Sequence, residues 1–247
     1  MSIESQAEYE AMRRTGRVVH RALERMLAAV TVGITTRELD AVGEQSLRQD
    51  GARSAPMLFY GFPGWTCISV NDEVVHGVPG DRALRPGDMV TLDVTAELDG
   101  YVADAARTVI VPPASEQALA LQACAEAAFW RAAAAVRAGL PLAWVGREVE
   151  REVRRRGFHV LRELTGHGVG RSIHEEPAVP NYYERTARST LTDGLVIALE
   201  PLICEGTDWT REANDGWTVL SADGSLTAHY ENTIVVTASQ PIVLTAA

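Results

Sequence analysis

The feature that most constrains this chain is a long-period internal repeat. Gly33 and Gly51 lie 18 residues apart, and so do Gly139 and Gly157. Each pair frames a helix-like stretch, Thr36 to Gln49 and then Leu142 to Arg156. Thr35 and Glu38 form a capping box that opens the first of them. Glycine suits the left-handed residue that ends a helix. A longer helix precedes each stretch. Glu8 to Val30 carries Met12, Val19, Leu23, Met26, Leu27 and Val30 near helical spacing, and Ser115 to Arg137 is rich in alanine.

The repeat continues into strands. Gly87 to Asp93 and Gly194 to Glu200 are apolar runs that each end, six residues on, in a carboxylate. Each is followed by a second β-like run that begins with a carboxylate, at Asp104 and at Glu231. Each half therefore reads helix, helix, strand, strand. The prolines between Ile110 and Ser115 interrupt both ladder and helix and divide the halves. The expectation is one domain over residues 1–247, with halves of about 8–111 and 115–243.

An ionised carboxylate at the end of a buried strand must be paired, must bind a metal, or must take up a proton. Most lone acids are simply exposed. Four at matching places in two halves would converge and repel, and divalent cations offset that repulsion. Histidines cluster nearby. His167 and His174 stand seven apart in a glycine-rich stretch, and His76 follows another strand-like run. Neutral imidazole is a good ligand for a first-row metal.

Composition bounds the rest. The formal charge of −10 argues against a general nucleic-acid binder. Three cysteines, Cys67, Cys124 and Cys204, make no CxxC motif and no complete disulfide set, so a reducing cytoplasm is expected. No apolar run reaches the roughly 18 residues of a membrane helix, and the polar N-terminus lacks the pattern of a secretory signal.

Several segments together resemble methionine aminopeptidase of the short, bacterial type I class. They are Cys67 to Pro79, Gly166 to Arg171, His174 to Pro177, Asp215 to Val219 and Ser225 to Glu231. The intervals also fit, with eleven residues from Asp93 to Asp104 and thirty-one from Glu200 to Glu231. The resemblance implies the pita-bread fold. This is an α/β fold of the α+β kind, in which two pseudo-twofold halves put antiparallel sheet inside and helices outside.

It further implies two divalent ions, Mn²⁺, Fe²⁺, Co²⁺ or Zn²⁺. Asp93 would hold one through both oxygens, Asp104 and Glu231 would bridge, and His167 and Glu200 would complete the other site. His76 and His174 would contact substrate, and Glu200 would shuttle the proton. Tyr60, Phe62, Cys67, Ile173 and Trp217 would wall a methionine pocket. The implied substrate is a nascent chain beginning with methionine and a small second residue. The implied protein is monomeric, in transient contact with the ribosome, with no nucleic-acid specificity and no membrane. Proline-specific aminopeptidases and non-catalytic binding proteins share the fold and are the alternatives. This sequence departs from the family pattern around Asp104, where Ala103, Ala105 and Ala106 replace Gly, Thr and Ser, and at Leu202 and Asn232. The lost hydroxyls would remove support from Asp104.

Overall fold

A computed structural model describes residues 1–186 and 189–246. Helix α1 spans Gln6–Ala29 and α2 spans Thr36–Gln49. Ser5 caps α1 by accepting from the Glu8 amide, which starts the helix two residues before the expected Glu8. The reciprocal Thr35–Glu38 capping box is present at α2. A short helix α3, Ala55–Tyr60, follows. Helix α4, Glu116–Ala133, is capped by Ser115, and α5 covers Ala143–Arg155. Gly51 and Gly157 each follow α2 and α5 at positive φ, 73° and 84°, where a side chain would be strained.

Helix α4 stops four residues short of the expected Arg137. Beyond the helical cap at Ala134 the chain turns away, and Ala138 donates to the Thr237 carbonyl and Gly139 to the Leu191 carbonyl. Those distant carbonyls outcompete continued helix.

All strand pairs are antiparallel among the described residues. One sheet is built on the hairpin of Met89–Leu98 and Tyr101–Ile110, with Cys67–Val70 along the other edge of its first strand. The expected runs stopped at Asp93 and began at Asp104. The hairpin is longer because Asp99 and Gly100, at φ of 52° and 81°, make a two-residue turn that matches strand twist. Asp93 and Asp104 thus sit in mid-strand, which corrects the strand-end placement. In the second sheet the order is Ile242–Val243, Asn232–Val235, Val196–Leu199, Thr165–Gly168, Glu175–Pro180. There Glu200 and Glu231 do flank strands.

Helices α1 and α2 bury Met12, Val19, Leu23, Met26, Leu39 and Leu47 against the first sheet. Helices α4 and α5 bury Leu121, Phe129, Val145, Val149 and Val153 against the second. The antiparallel α+β expectation holds, with sheet inside and helices outside. The sheets meet where Glu231 donates its amide to the Ala106 carbonyl at 2.9 Å, and Asp104 donates its amide to Thr233 Oγ1 at 2.8 Å. No described helix is long and apolar enough to cross a membrane.

Candidate metal centre

The hairpin register places Thr95 opposite Asp104, and the pairing of Cys67–Val70 on the other edge places Cys67 opposite Asp93. Because side chains alternate along a strand, Asp93, Thr95 and Asp104 share one face. That face floors a cleft. Glu200 and Glu231 enter the same cleft from the second sheet, and His167 enters from Thr165–Gly168.

The glycines beside His167 have a steric role. A Cβ at Gly166 would lie 2.5 Å from the Ala198 carbonyl oxygen, and one at Gly168 would lie 2.3 Å from that of Glu176. Only glycine lets this strand fit between its two neighbours. His167 Nδ1 lies 2.9 Å from the Gly168 carbonyl oxygen, so Nδ1 carries the proton and Nε2 presents its lone pair to the cleft. Nε2 stands 3.3 Å from Glu200 Oε1.

Asp104 accepts from Thr95 Oγ1 at 2.9 Å, and its carbonyl accepts from Thr233 Oγ1 at 2.9 Å. Asp104 is thus supported although Ala105 and Ala106 carry no hydroxyl. Asn232 is absorbed similarly. Its Oδ1 accepts from Arg107 Nη2 at 2.9 Å and from Thr245 Oγ1 at 3.0 Å. Arg107 also donates to the Glu231 carbonyl and lies 3.8 Å over the Tyr230 ring.

Burial pushes Asp93, Glu200 and Glu231 well above the usual carboxylate range, and the negative charge of Asp104 adds to each shift. Asp104 is raised as well by burial, with the hydrogen bond from Thr95 opposing. Buried Asp93 Oδ1 and Glu231 Oε1 have no hydrogen-bond partner. Such orphaned anionic oxygens call for cations. Two groups of donor atoms fall within 4.8 Å of one another: Asp104, His167 and Glu231, and Asp93, His229 and Glu231. Oxygen-rich sets with a nitrogen fit a divalent first-row ion.

His229 was not among the residues expected from sequence. It is 2 % exposed, and its Nε2 lies 3.6 Å from both Glu200 Oε2 and Glu231 Oε2. Burial pushes its pKa down to about 3, so the ring is neutral. The available signal was its position two residues before Glu231, which in extended chain puts both side chains on one face.

His76 and His174 stand at the mouth of the cleft. His174 Nδ1 lies 2.7 Å from the Tyr60 hydroxyl, and the His167 and His174 rings meet edge-on at 4.4 Å. Partial desolvation leads in pulling His174 down to about 4. Desolvation also lowers His76. Tyr60, Phe62, Cys67, Ile173 and Trp217 line the same cleft. Phe62 and Trp217 pack edge to face at 5.3 Å. Asp215 holds that turn by accepting from the amides of Trp217 and Thr218 at 2.9 and 2.8 Å.

The chain matches metallopeptidase family M24 over residues 10–238. It is 41% identical over 247 residues to methionine aminopeptidase 2 of Bacillus subtilis, covering 99% of each chain. It is 38% identical over 243 residues to a methionine aminopeptidase of Clostridium perfringens, covering 98% of each. The crystal structure of a methionine aminopeptidase from Thermotoga maritima superposes with a TM-score of 0.96 at 33% identity, over 100% of both chains.

Proposed function

This chain belongs to metallopeptidase family M24, and from that membership we propose that it is a methionine aminopeptidase, a metal-dependent hydrolase that removes the N-terminal methionine of nascent proteins. The carrying observation is the convergence of Asp93, Asp104, His167, Glu200 and Glu231 on one cleft, with Asp93 Oδ1 and Glu231 Oε1 buried and unpartnered. The two relatives that match nearly the whole chain at 41% and 38% identity are methionine aminopeptidases, which favours neither a proline-specific enzyme nor a non-catalytic binder.

In this reading residues 1–247 form one catalytic domain, with halves of about 8–111 and 115–243. Asp93, Asp104, His167, Glu200 and Glu231 would hold two divalent ions, with Asp104 and Glu231 contributing to both. The ions are Mn²⁺, Fe²⁺, Co²⁺ or Zn²⁺, which this donor set does not separate. Bound there, they supply Lewis acidity that polarises a peptide carbonyl and brings water toward ionisation near neutral pH.

The protein's own groups do the rest. The methionine side chain lies among Phe62, Cys67, Ile173, Tyr60 and Trp217, apolar surfaces suited to a thioether. The second residue is small. Tyr60 donates to His174 Nδ1, which leaves Nε2–H as a donor to the scissile carbonyl oxygen as charge develops there. His174 stays neutral near pH 7, as a donor to an oxyanion in this tautomer requires. Glu200 accepts a proton from the attacking water and delivers it to the leaving amine as the C–N bond breaks. His76 steadies that amide nitrogen. The enzyme acts as a cytoplasmic monomer and meets nascent chains beside the ribosome.

Short peptides test this. The protein should cleave Met-Ala-Ser at least about tenfold faster than Ala-Ala-Ser, lose activity with chelator and regain it with Mn²⁺ or Co²⁺. Equal turnover of the two peptides, or no recovery with any of the four metals, overturns the reading.

A further inference from the structure

We propose that His229 is itself a metal ligand, so that the Asp93 side of the centre carries an imidazole donor of its own beside the carboxylates. The inference rests on the metal-centre reading above and adds a sixth protein ligand to it.

The primary observation is a partner deficit. His229 is fully enclosed, yet neither Nδ1 nor Nε2 has a hydrogen-bond partner. A structural histidine in a core gives its N–H to a carbonyl or carboxylate, because an enclosed ring nitrogen left unpaired is costly. His167, in the same cleft, does this with the Gly168 carbonyl. His229 does not.

The backbone that carries the ring is also held. Thr108 pins the backbone of His229 from both sides, its Oγ1 accepting from the His229 amide at 2.8 Å and donating to the His229 carbonyl at 3.0 Å. Leu202 pairs with His229 across the adjoining ladder. The side chain is therefore aimed, and it is aimed at acids. Nε2 stands 3.6 Å from Glu200 Oε2 and 3.6 Å from Glu231 Oε2, beyond hydrogen-bond range for either. Two donors around one tetrahedral ion with bonds of about 2.1 Å stand about 3.4 Å apart. The spacing is that of atoms sharing a common ion rather than a common proton.

The third partner completes the case. Donor atoms of Asp93, His229 and Glu231 all lie within 4.8 Å of one another, and the orphaned oxygens are those of Asp93 and Glu231. His167 belongs to the other group, with Asp104 and Glu231. Each side of the centre would then hold one nitrogen. A nitrogen donor in place of oxygen alone moves the Asp93 side toward Co²⁺ and Zn²⁺ relative to Mn²⁺.

Proton NMR of the Co²⁺-loaded protein counts coordinated imidazoles, since each contributes an exchangeable ring N–H resonance shifted far outside the normal range. Chelator-treated protein titrated with Co²⁺ in ordinary water should show two such resonances, both lost in D₂O. His229→Gln should remove one and weaken binding of one ion by about 10-fold or more, while His167→Gln should remove the other. A single resonance in the unaltered protein that survives His229→Gln overturns the inference and leaves the metal centre standing. No Co²⁺ binding at all overturns both. The count in the unaltered protein decides the matter even where a variant folds poorly.

Discussion

Asp104 illustrates how a residue's neighbours in space can replace its neighbours in sequence. Its flanking Ala103 and Ala105 lie on the opposite face of the strand, in the core that α1 packs against. Small side chains there let the helix approach the sheet. The carboxylate draws its support from elsewhere, from the Thr95 hydroxyl across the hairpin and from Thr233 on the second sheet. Partners of this kind orient a ligand and tune its basicity. Thr95→Val, which keeps the shape of the side chain and deletes its donor, should weaken metal affinity by roughly 10–100-fold without unfolding the protein. Calorimetric titration of the chelator-treated variant measures this, and an affinity equal to that of the unaltered protein would show that the hydroxyl is idle. His229 is the complementary case, a residue whose lack of partners is the informative observation.

At the scale of elements, the outer helices are locked by charge as well as by apolar packing. Glu152 on α5 is 4 % exposed and accepts from Arg155 at 2.6 Å and Arg156 at 2.7 Å, with Arg131 of α4 at 3.5 Å. The hydrogen bond from Arg155 leads in holding its pKa down at about 2, below the ordinary 4.5. A depressed carboxyl contributes stability that is complete above its unfolded value and lost as pH falls through its folded one. Glu152→Gln should therefore cost about 2 kcal/mol at pH 7. The gap between variant and unaltered protein should narrow below about pH 4.5 and close near pH 2, as urea melts across that range would record. A gap independent of pH would assign the loss to packing instead. The helix starts of α2 and α4 were legible because Thr35 and Ser115 act within one turn. The end of α4 was not, since the carbonyls of Leu191 and Thr237 that draw the chain away come from distant segments.

For the whole molecule, the cleft lies where two helix-covered sheets meet, and the acids of both sheets are brought into one enclosed volume. Without cations that arrangement is unfavourable. Asp93, Glu200 and Glu231 all have folded pKa values raised above the ordinary carboxylate value, so the folded state binds more protons than the unfolded. The metal-free protein should consequently lose stability as pH rises above about 4.5, and binding of Mn²⁺ or Co²⁺ should reverse that loss and release protons. A free metal concentration 100 times the dissociation constant adds about 2.7 kcal/mol. Calorimetric melts between pH 5 and 8, with and without metal, should show a falling midpoint only in the metal-free series; parallel series would contradict it. The amino-acid sequence by itself determined the helices, the strand-forming runs, the four acids at matching places and the motifs of the family. These depend on periodicity, caps and spacing, all readable within short windows. Tertiary structure alone decided that Asp93 and Asp104 sit in mid-strand, that Thr233 supports Asp104 from 129 residues away, and that His229 faces the acids. Such contacts arise from pairing between distant segments, and pairing at that range leaves no periodic trace in the chain.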